Sequence, residues 1–405
     1  MLNFNFYKKN INFLSAGFFL TFAASIGQTF YIAIFANDIK DEIGLTHGSF
    51  GGLYTIATLM SAFVMLWLGK TVDIFKTQYL AFIALICLAL ASFFVTVAAS
   101  FYTLLITIFL LRLFGQGMST HIATTFMAKT YSKTRGKAIS VSVLGRAAGE
   151  MFMPAIAIIL ITTVGWRVTW TISGAVILFI IAPLCFYLLR TIPSIDLENL
   201  SDKQEFIDVA KHYNRLEVAK DKLFYILMLG ILVPPFITTG IFFHSIHILE
   251  IKNWPIETYA YTMPLFSLFL IISVLFSGWA VDRWSAVKLL PLYLIPLATG
   301  VLILSIGNNI VTIYFFMAFA GITTGLATAI TGALWAELYG IKYLGSIKSM
   351  VMAYVVASTA IAPGIIGFLI DFGISIESQI FIFSIYIYII SIIFLIVRKS
   401  DKRLQ

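Results

Sequence analysis

Twelve long apolar runs, parted by short polar segments, make up most of this 405-residue chain. They lie near 11–36, 49–69, 79–98, 101–127, 138–162, 168–190, 223–248, 257–280, 288–306, 310–335, 345–370 and 378–397. A bilayer-crossing helix needs about 20 apolar residues. Bare backbone finds no hydrogen-bond partner in lipid, so each run is expected to be helical. The expected fold class is therefore an all-α membrane protein with twelve transmembrane helices. Charged residues make up only 11% of the chain and hydrophobic ones 60%, whereas soluble domains carry about 25% charged residues. An ordinary soluble enzyme, a disordered chain and a disulfide scaffold are excluded.

The first run follows Lys8 and Lys9, is too long for a signal-peptide core and has no small-residue cleavage site behind it. It reads as a helix that stays in the membrane. Cys87 and Cys185 both fall inside apolar runs, so neither a disulfide nor a metal site is expected.

The net charge is +8. With the N-terminus in the cytoplasm, 22 of the 27 Lys and Arg residues fall in cytoplasmic segments. Lys40, Arg167 and Lys252 fall outside, and Arg112 and Arg146 fall within spans. This bias orients the chain with both termini cytoplasmic. The basic charge therefore reports topology. No soluble basic domain exists to bind nucleic acid.

A polar stretch divides six runs from six. The expected domains are an N-terminal six-helix bundle over 1–190, a cytoplasmic central loop over 191–222 and a C-terminal six-helix bundle over 223–405. The bundles share one register. Gly69-Lys-Thr-Val-Asp73 ends the second span and Gly278-Trp-Ala-Val-Asp282 ends the eighth. The same offset relates Gly136 to Gly345, Ser140 to Ser349 and Pro154 to Pro363. Repeats of an even number of helices are parallel, an arrangement in which substrate is held near the midplane between the bundles.

Helix number, central loop and repeat together resemble the major facilitator superfamily of secondary transporters. The loop segment Gly69 to Asp73 resembles that family's signature between helices two and three, although Ile74 replaces a basic residue. The second copy, Gly278 to Asp282, keeps Arg283. Arg112-Leu-Phe-Gly115-Gln-Gly117 resembles the fourth-helix motif. Gly136, Gly145 and Gly149 match the spacing of the antiporter motif, but Glu150 stands where its proline would be. The segment Trp335-Ala-Glu-Leu-Tyr-Gly340 with Leu344-Gly-Ser-Ile347 resembles the monocarboxylate and oxalate/formate-like branch. The resemblance implies the superfamily's fold of two parallel six-helix repeats, and a cavity lined by helices one, four, seven and ten. It implies gating by Gly69, Asp73, Gly278, Asp282 and Arg283, where glycine lets helix ends approach and the carboxylates latch one state. Gly115, Gly117, Gly145, Gly149, Pro154 and Pro363 are expected helix-packing positions.

Charges inside spans cost about 2.5–3.5 kcal/mol each on insertion scales and mark functional positions. Arg112, Arg146 and Glu150 are the deep ones, and none has a charged counterpart in the second repeat. Arg146 and Glu150 are spaced to share a helical face. Two arginines against one glutamate leave one positive charge, which a small organic anion such as a carboxylate would neutralise. Gln28, His121, Thr124 and Thr238 are further candidates for substrate binding or coupling, His121 because histidine is the residue type suited to carrying a proton at physiological pH. Pro234-Pro235 is expected to interrupt the seventh helix. His244, His247, Glu337 and Asp371 read as interfacial.

The expected function is alternating-access secondary transport in a plasma (inner) membrane, coupled to a proton or by exchange, with the lipid bilayer as surroundings. A multidrug or other small-molecule efflux antiporter, or a transport-inactive sensor, are the alternatives. No phosphate-binding Gly-Lys-Ser/Thr loop, cofactor motif or catalytic constellation is found, and neither an enzyme nor a cofactor is expected. The fold needs no partner to complete its core, so a monomer is expected.

Overall fold

The computed structural model describes residues 8, 10–131, 135–190, 213–340 and 342–400. Every regular element among them is helical. The helices in chain order are α1 (Ile11–Gly27), α2 (Thr29–Ile43), α3 (His47–Ile74), α4 (Thr77–Val97), α5 (Phe101–Thr130), α6 (Ala138–Val164) and α7 (Trp166–Leu189). After residues 191–212, which lie outside the described residues and hold most of the expected central loop, come α8 (Arg215–Lys220) and α9 (Lys222–Phe243). They are followed by α10 (Ser245–Ile251), α11 (Glu257–Trp284), α12 (Ala286–Leu289) and α13 (Ile295–Ile306). The last three are α14 (Val311–Tyr339), α15 (Leu344–Asp371) and α16 (Ile376–Ser400).

Ten of these helices are long and apolar enough to cross a bilayer, and α1 with α2 makes an eleventh path, bent by 45°. The ninth expected span is helical at its start, in α12, and again over α13, with the ring of Pro296 in the first turn of α13. The chain is a multi-pass, all-α membrane protein.

Two expected spans are broken in different ways. The first is not one helix. Gln28 is extended, with φ −89° and ψ 156°, so carbonyls at the end of α1 lose their helical donors. The seventh is interrupted at Leu232, within α9, which still counts as a single span, and again at His244, between α9 and α10. Pro234 and Pro235 have no N–H to give to Gly230 and Ile231. The Tyr293 hydroxyl takes over at Gly230, donating to its carbonyl at 3.0 Å. The Ser358 hydroxyl donates to the Leu232 carbonyl at 3.2 Å.

The chain separates into two compact units: Met1–Thr46 with Leu53–Lys203, and His47–Gly52 with Gln204–Gln405. The start of α3 thus belongs with the second unit and its remainder with the first. In the first unit α1 packs along α5, α6 and α7, and α4 packs on α5 and α7. Tyr31, Phe35 and Trp170 form a buried aromatic cluster there, closed by a 2.7 Å hydrogen bond between the Tyr31 and Ser173 hydroxyls. In the second unit α14 packs on α11 and α13, α13 on α16, and α9 on α15. Residues 213–220 are fastened to the end of α14. Tyr213 N–H donates to the Tyr339 carbonyl at 3.1 Å, and the Tyr339 hydroxyl donates to Asp221 at 2.9 Å.

Candidate functional site

Arg112 begins a π-helical stretch, Arg112–Ser119, inside α5. The wider winding displaces side chains from the ordinary helical register, a distortion frequent at functional sites. Here it is supported by Ser119, whose hydroxyl donates to the Phe114 carbonyl at 2.7 Å. Arg112 is 1% exposed. Its Nη1 donates to the Gly27 carbonyl at 3.1 Å, one of the acceptors freed by the break at Gln28. Its guanidinium carbon lies 5.1 Å from the centroid of the Tyr54 ring, within cation–π range. Its Nε has no hydrogen-bond partner among the described residues. The approach of α1 to α5 depends on glycine on both sides: a Cβ at Gly27 would lie 2.2 Å from the Leu111 carbonyl oxygen and one at Gly115 2.7 Å from the Cα of Gly27.

Polar groups surround this contact. The Thr29 and Tyr54 hydroxyls are hydrogen-bonded at 2.6 Å. Gln28 is buried, and its amide bonds no other described residue. Ser25 Oγ is buried without a hydrogen-bond partner among the described residues. It lies against Gly149, where a Cβ would come within 1.8 Å of it.

The three deep charges resolve into a pair and a lone cation. Arg146 Nε donates to Glu150 Oε1 at 3.0 Å, with the Glu150 side chain buried and that of Arg146 51% exposed. The expected shared face is observed. No hydrogen bond or ion pair joins Arg112 to Glu150 or to any other carboxylate among the described residues. The excess positive charge counted from sequence therefore resides on Arg112.

The loop signatures differ in their partners. In the first unit Asp73 accepts from Lys129 Nζ at 2.5 Å, and that amine also reaches the Val72 carbonyl at 3.4 Å. The ring of His121 donates through Nε2 to the Gly69 carbonyl at 3.1 Å, which gives this candidate coupling residue a place in the same loop. The likeness expected of the second copy does not extend this far. Asp282 makes no hydrogen bond or ion pair among the described residues. Nothing lies within 4 Å of a Cβ built on Gly278, so close approach does not require glycine there. Arg283 lies over the rings of Trp279 and Trp284, at 5.7 and 5.8 Å. The work falls to Glu337, expected to be interfacial, whose carboxylate accepts from Ala286 N–H at 3.0 Å and Val287 N–H at 3.3 Å and so caps α12.

Two candidate hydroxyls are occupied locally. Thr124 donates to the Thr120 and His121 carbonyls at 2.9 and 3.3 Å, and Thr238 to the Pro234 carbonyl at 2.6 Å. Of the packing positions, Gly145 faces the Phe18 carbonyl and Gly117 faces Met65. Pro154 and Pro363 lie within α6 and α15. Tyr54 and Lys129 were not candidates from sequence. An aromatic inside an apolar run carries no signal, whereas Lys129 had one, a cation at the end of the fourth span available to the Asp73 loop.

Residues 17–286 and 245–405 match the sequence model of the Major Facilitator Superfamily. No curated protein matches the chain in sequence. Among solved structures, the chain is similar to a bacterial homologue of the human lysosomal transporter Spinster in an inward-facing, unoccupied conformation. That match has a TM-score of 0.75 and 15% identity, and covers 97% of this chain and 98% of the other. The same homologue in its occupied form gives 0.74 at 14% identity, covering 98% of each chain. The nucleoside transporter NupG gives 0.72 at 11% identity, covering 96% of this chain and 100% of the other. At these identities the likeness is one of fold.

Proposed function

Because the chain belongs to the Major Facilitator Superfamily, we propose that it is a secondary active transporter that moves a small organic anion, a carboxylate, by alternating access. In this reading transport is coupled to a proton or proceeds by exchange. The chain works as a monomer in a plasma (inner) membrane with both termini cytoplasmic.

The observation that carries the reading is Arg112, fully buried with only a carbonyl, an aromatic face and an unpartnered Nε for company. A carbonyl and a π face lower the energy of a buried guanidinium without cancelling its charge. A carboxylate would cancel it and would accept from the unpartnered Nε. Tyr54, whose ring faces Arg112, is hydrogen-bonded to Thr29, and Gln28 and Ser25 add buried neutral polar groups next to Gly27 in the chain. Glu150 is paired with Arg146, which supports a monoanion over a cation as substrate. The segment from Trp335 to Gly340 and its resemblance to the monocarboxylate and oxalate/formate-like branch lean the same way.

The test is flux into liposomes holding the purified protein, with and without a proton gradient. The panel comprises small carboxylates, amino acids, sugars, nucleosides and cationic drugs. Saturable uptake of a monocarboxylate, lost in Arg112→Gln, is expected. Flux of cationic drugs alone would favour the efflux antiporter, and binding without flux would favour the sensor; either would overturn the proposal.

A further inference from the structure

One exposed face of α11 ends on a cation. Leu268, Ile272, Leu275, Phe276 and Trp279 are all exposed, and steps of three and four residues place them on one helical face. An exposed apolar stripe of this length in a multi-pass membrane protein faces acyl chains. Arg283 continues the stripe, four residues beyond Trp279, and is exposed as well. α11 has 28 residues, about 42 Å at the usual rise, against a hydrocarbon core of about 30 Å. Trp279 and Trp284 lie at this end, and tryptophan is a residue type that sits at headgroup level. Arg283 is therefore placed where lipid headgroups are.

Its surroundings within the chain are aromatic. The Trp279 and Trp284 rings meet edge to face at 5.2 Å between centroids. The Arg283 guanidinium lies 5.7 and 5.8 Å from those centroids, within cation–π range. It makes no ion pair or hydrogen bond with any described residue. Asp282 precedes it in the chain, but successive helical residues do not face each other. Glu337, which reaches α12, is taken up by the Ala286 and Val287 N–H groups. The rings thus leave the charge uncancelled and the guanidinium N–H groups open to an outside acceptor.

Further cations gather at the same end of the second unit. Arg398, in the last turn of α16, donates through Nη1 to the Lys288 carbonyl at 3.4 Å. That bond ties the end of α16 to α12, which follows α11 after a single residue. The Lys288 side chain is exposed. The repeat shows that this arrangement is not scaffold. At the same offset Trp279, Arg283 and Trp284 correspond to Lys70, Ile74 and Phe75, so the cation between two indoles belongs to the second repeat alone.

We propose that Trp279, Arg283 and Trp284, with Lys288 and Arg398 alongside, bind the headgroup of an anionic phospholipid. The guanidinium takes the phosphate oxygens, and the apolar stripe of α11 lies along an acyl chain. A zwitterionic headgroup brings an ammonium that the three cations repel, so a lipid of net negative charge is preferred. The site is separate from Arg112, needs no transported substrate and goes beyond the transport reading. The orientation proposed from the basic residues puts it at the cytoplasmic leaflet, whose surface is negative.

Native mass spectrometry of the full-length protein in detergent, titrated with phosphatidylglycerol or phosphatidylcholine, tests it without any transport. Phosphatidylglycerol is expected to bind at least several-fold more tightly than phosphatidylcholine. Arg283→Gln should weaken phosphatidylglycerol binding by about ten-fold or more, the loss of a hydrogen-bonded charge. Arg283→Lys, which keeps the charge but not the fork, should fall between. Lys288→Gln and Arg398→Gln should each cost up to about five-fold, as for a basic residue near an anionic surface. They read the same site without altering α11, should Arg283→Gln fail to fold by gel filtration. Ile74→Gln, at the equivalent position of the first repeat, should change nothing. Equal affinity of the wild type for the two lipids overturns the proposal. So does phosphatidylglycerol binding that survives intact in the Arg283, Lys288 and Arg398 variants, or that falls as far in Ile74→Gln.

Discussion

Arg112 Nη1 donates to the carbonyl of Gly27 at 3.1 Å, so a charge buried in one span and a backbone break in another satisfy each other. The break frees an acceptor, and the guanidinium supplies the donor that the helix lost. Arg112→Gln should abolish carboxylate uptake. Removing one partner of a buried charge pair costs about 2 kcal/mol or more, on the order of thirty-fold in affinity. Arg112→Lys keeps the charge but cannot hold Gly27 and present a second donor edge together, and it should recover only a small part. Initial uptake rates in liposomes, normalised to folded protein by gel filtration, check both.

Glu150 answers to Arg146, not Arg112. Glu150→Gln should therefore harm uptake less than Arg112→Gln. A double-mutant cycle with Arg146→Gln should give a coupling of about 0.5–1 kcal/mol in thermal unfolding, small because the Arg146 side chain is half exposed. A coupling between Glu150 and Arg112 larger than this would contradict the pairing.

The Asp73 fastening should be sensitive to charge and the second copy should not. Asp73→Asn and Lys129→Gln are each expected to cut uptake several-fold at unchanged membrane abundance, with partial recovery in the charge-swapped Asp73→Lys/Lys129→Asp protein. Asp282→Asn should be silent. Glu337→Gln should lower stability by about 1 kcal/mol, the usual loss when a capping group goes. Uptake assays and melting curves on the same preparations separate these outcomes.

Glycine substitutions give a paired control. Gly27→Ala drives a methyl into the Leu111 backbone, which cannot rotate away, and should destabilise by roughly 1–3 kcal/mol. Gly278→Ala meets open space and should leave the melting temperature within about a degree or two, since exposed substitutions usually stay within ±0.5 kcal/mol.

The all-helical, multi-span fold was legible because lipid enforces a single rule: about 20 apolar residues per crossing, all in helix. The pairing of Arg146 with Glu150 was legible because it is local, one helical turn apart. The break at Gln28 was not, since no proline marks it, Ser25, Gln28 and Thr29 read equally well as one polar face of an unbroken helix, and Gly27 is one glycine among 27. Pro234-Pro235 marked a real interruption, at Leu232, but the span continues beyond it, and the distant Tyr293 hydroxyl takes up the Gly230 carbonyl that Pro234 leaves without a donor. The contact of the His47 ring with that of His247, 4.1 Å between centroids, joins residues far apart in the chain and leaves no local pattern. The repeat offset aligns two loop sequences, but it says nothing about which side chain holds each loop, as Glu337 shows.

The two loop fastenings differ in kind, and the difference has a physical consequence. Asp73 is matched by a mobile ammonium at the surface, so dissolved ions compete for both partners and weaken the bond within a Debye length of about 8 Å at physiological salt. Glu337 is matched by two peptide dipoles fixed in a helix end, which ions cannot displace so readily. Raising ionic strength should therefore loosen the loop of one repeat while leaving that of the other as it was, so that two segments aligned in sequence respond differently to their medium.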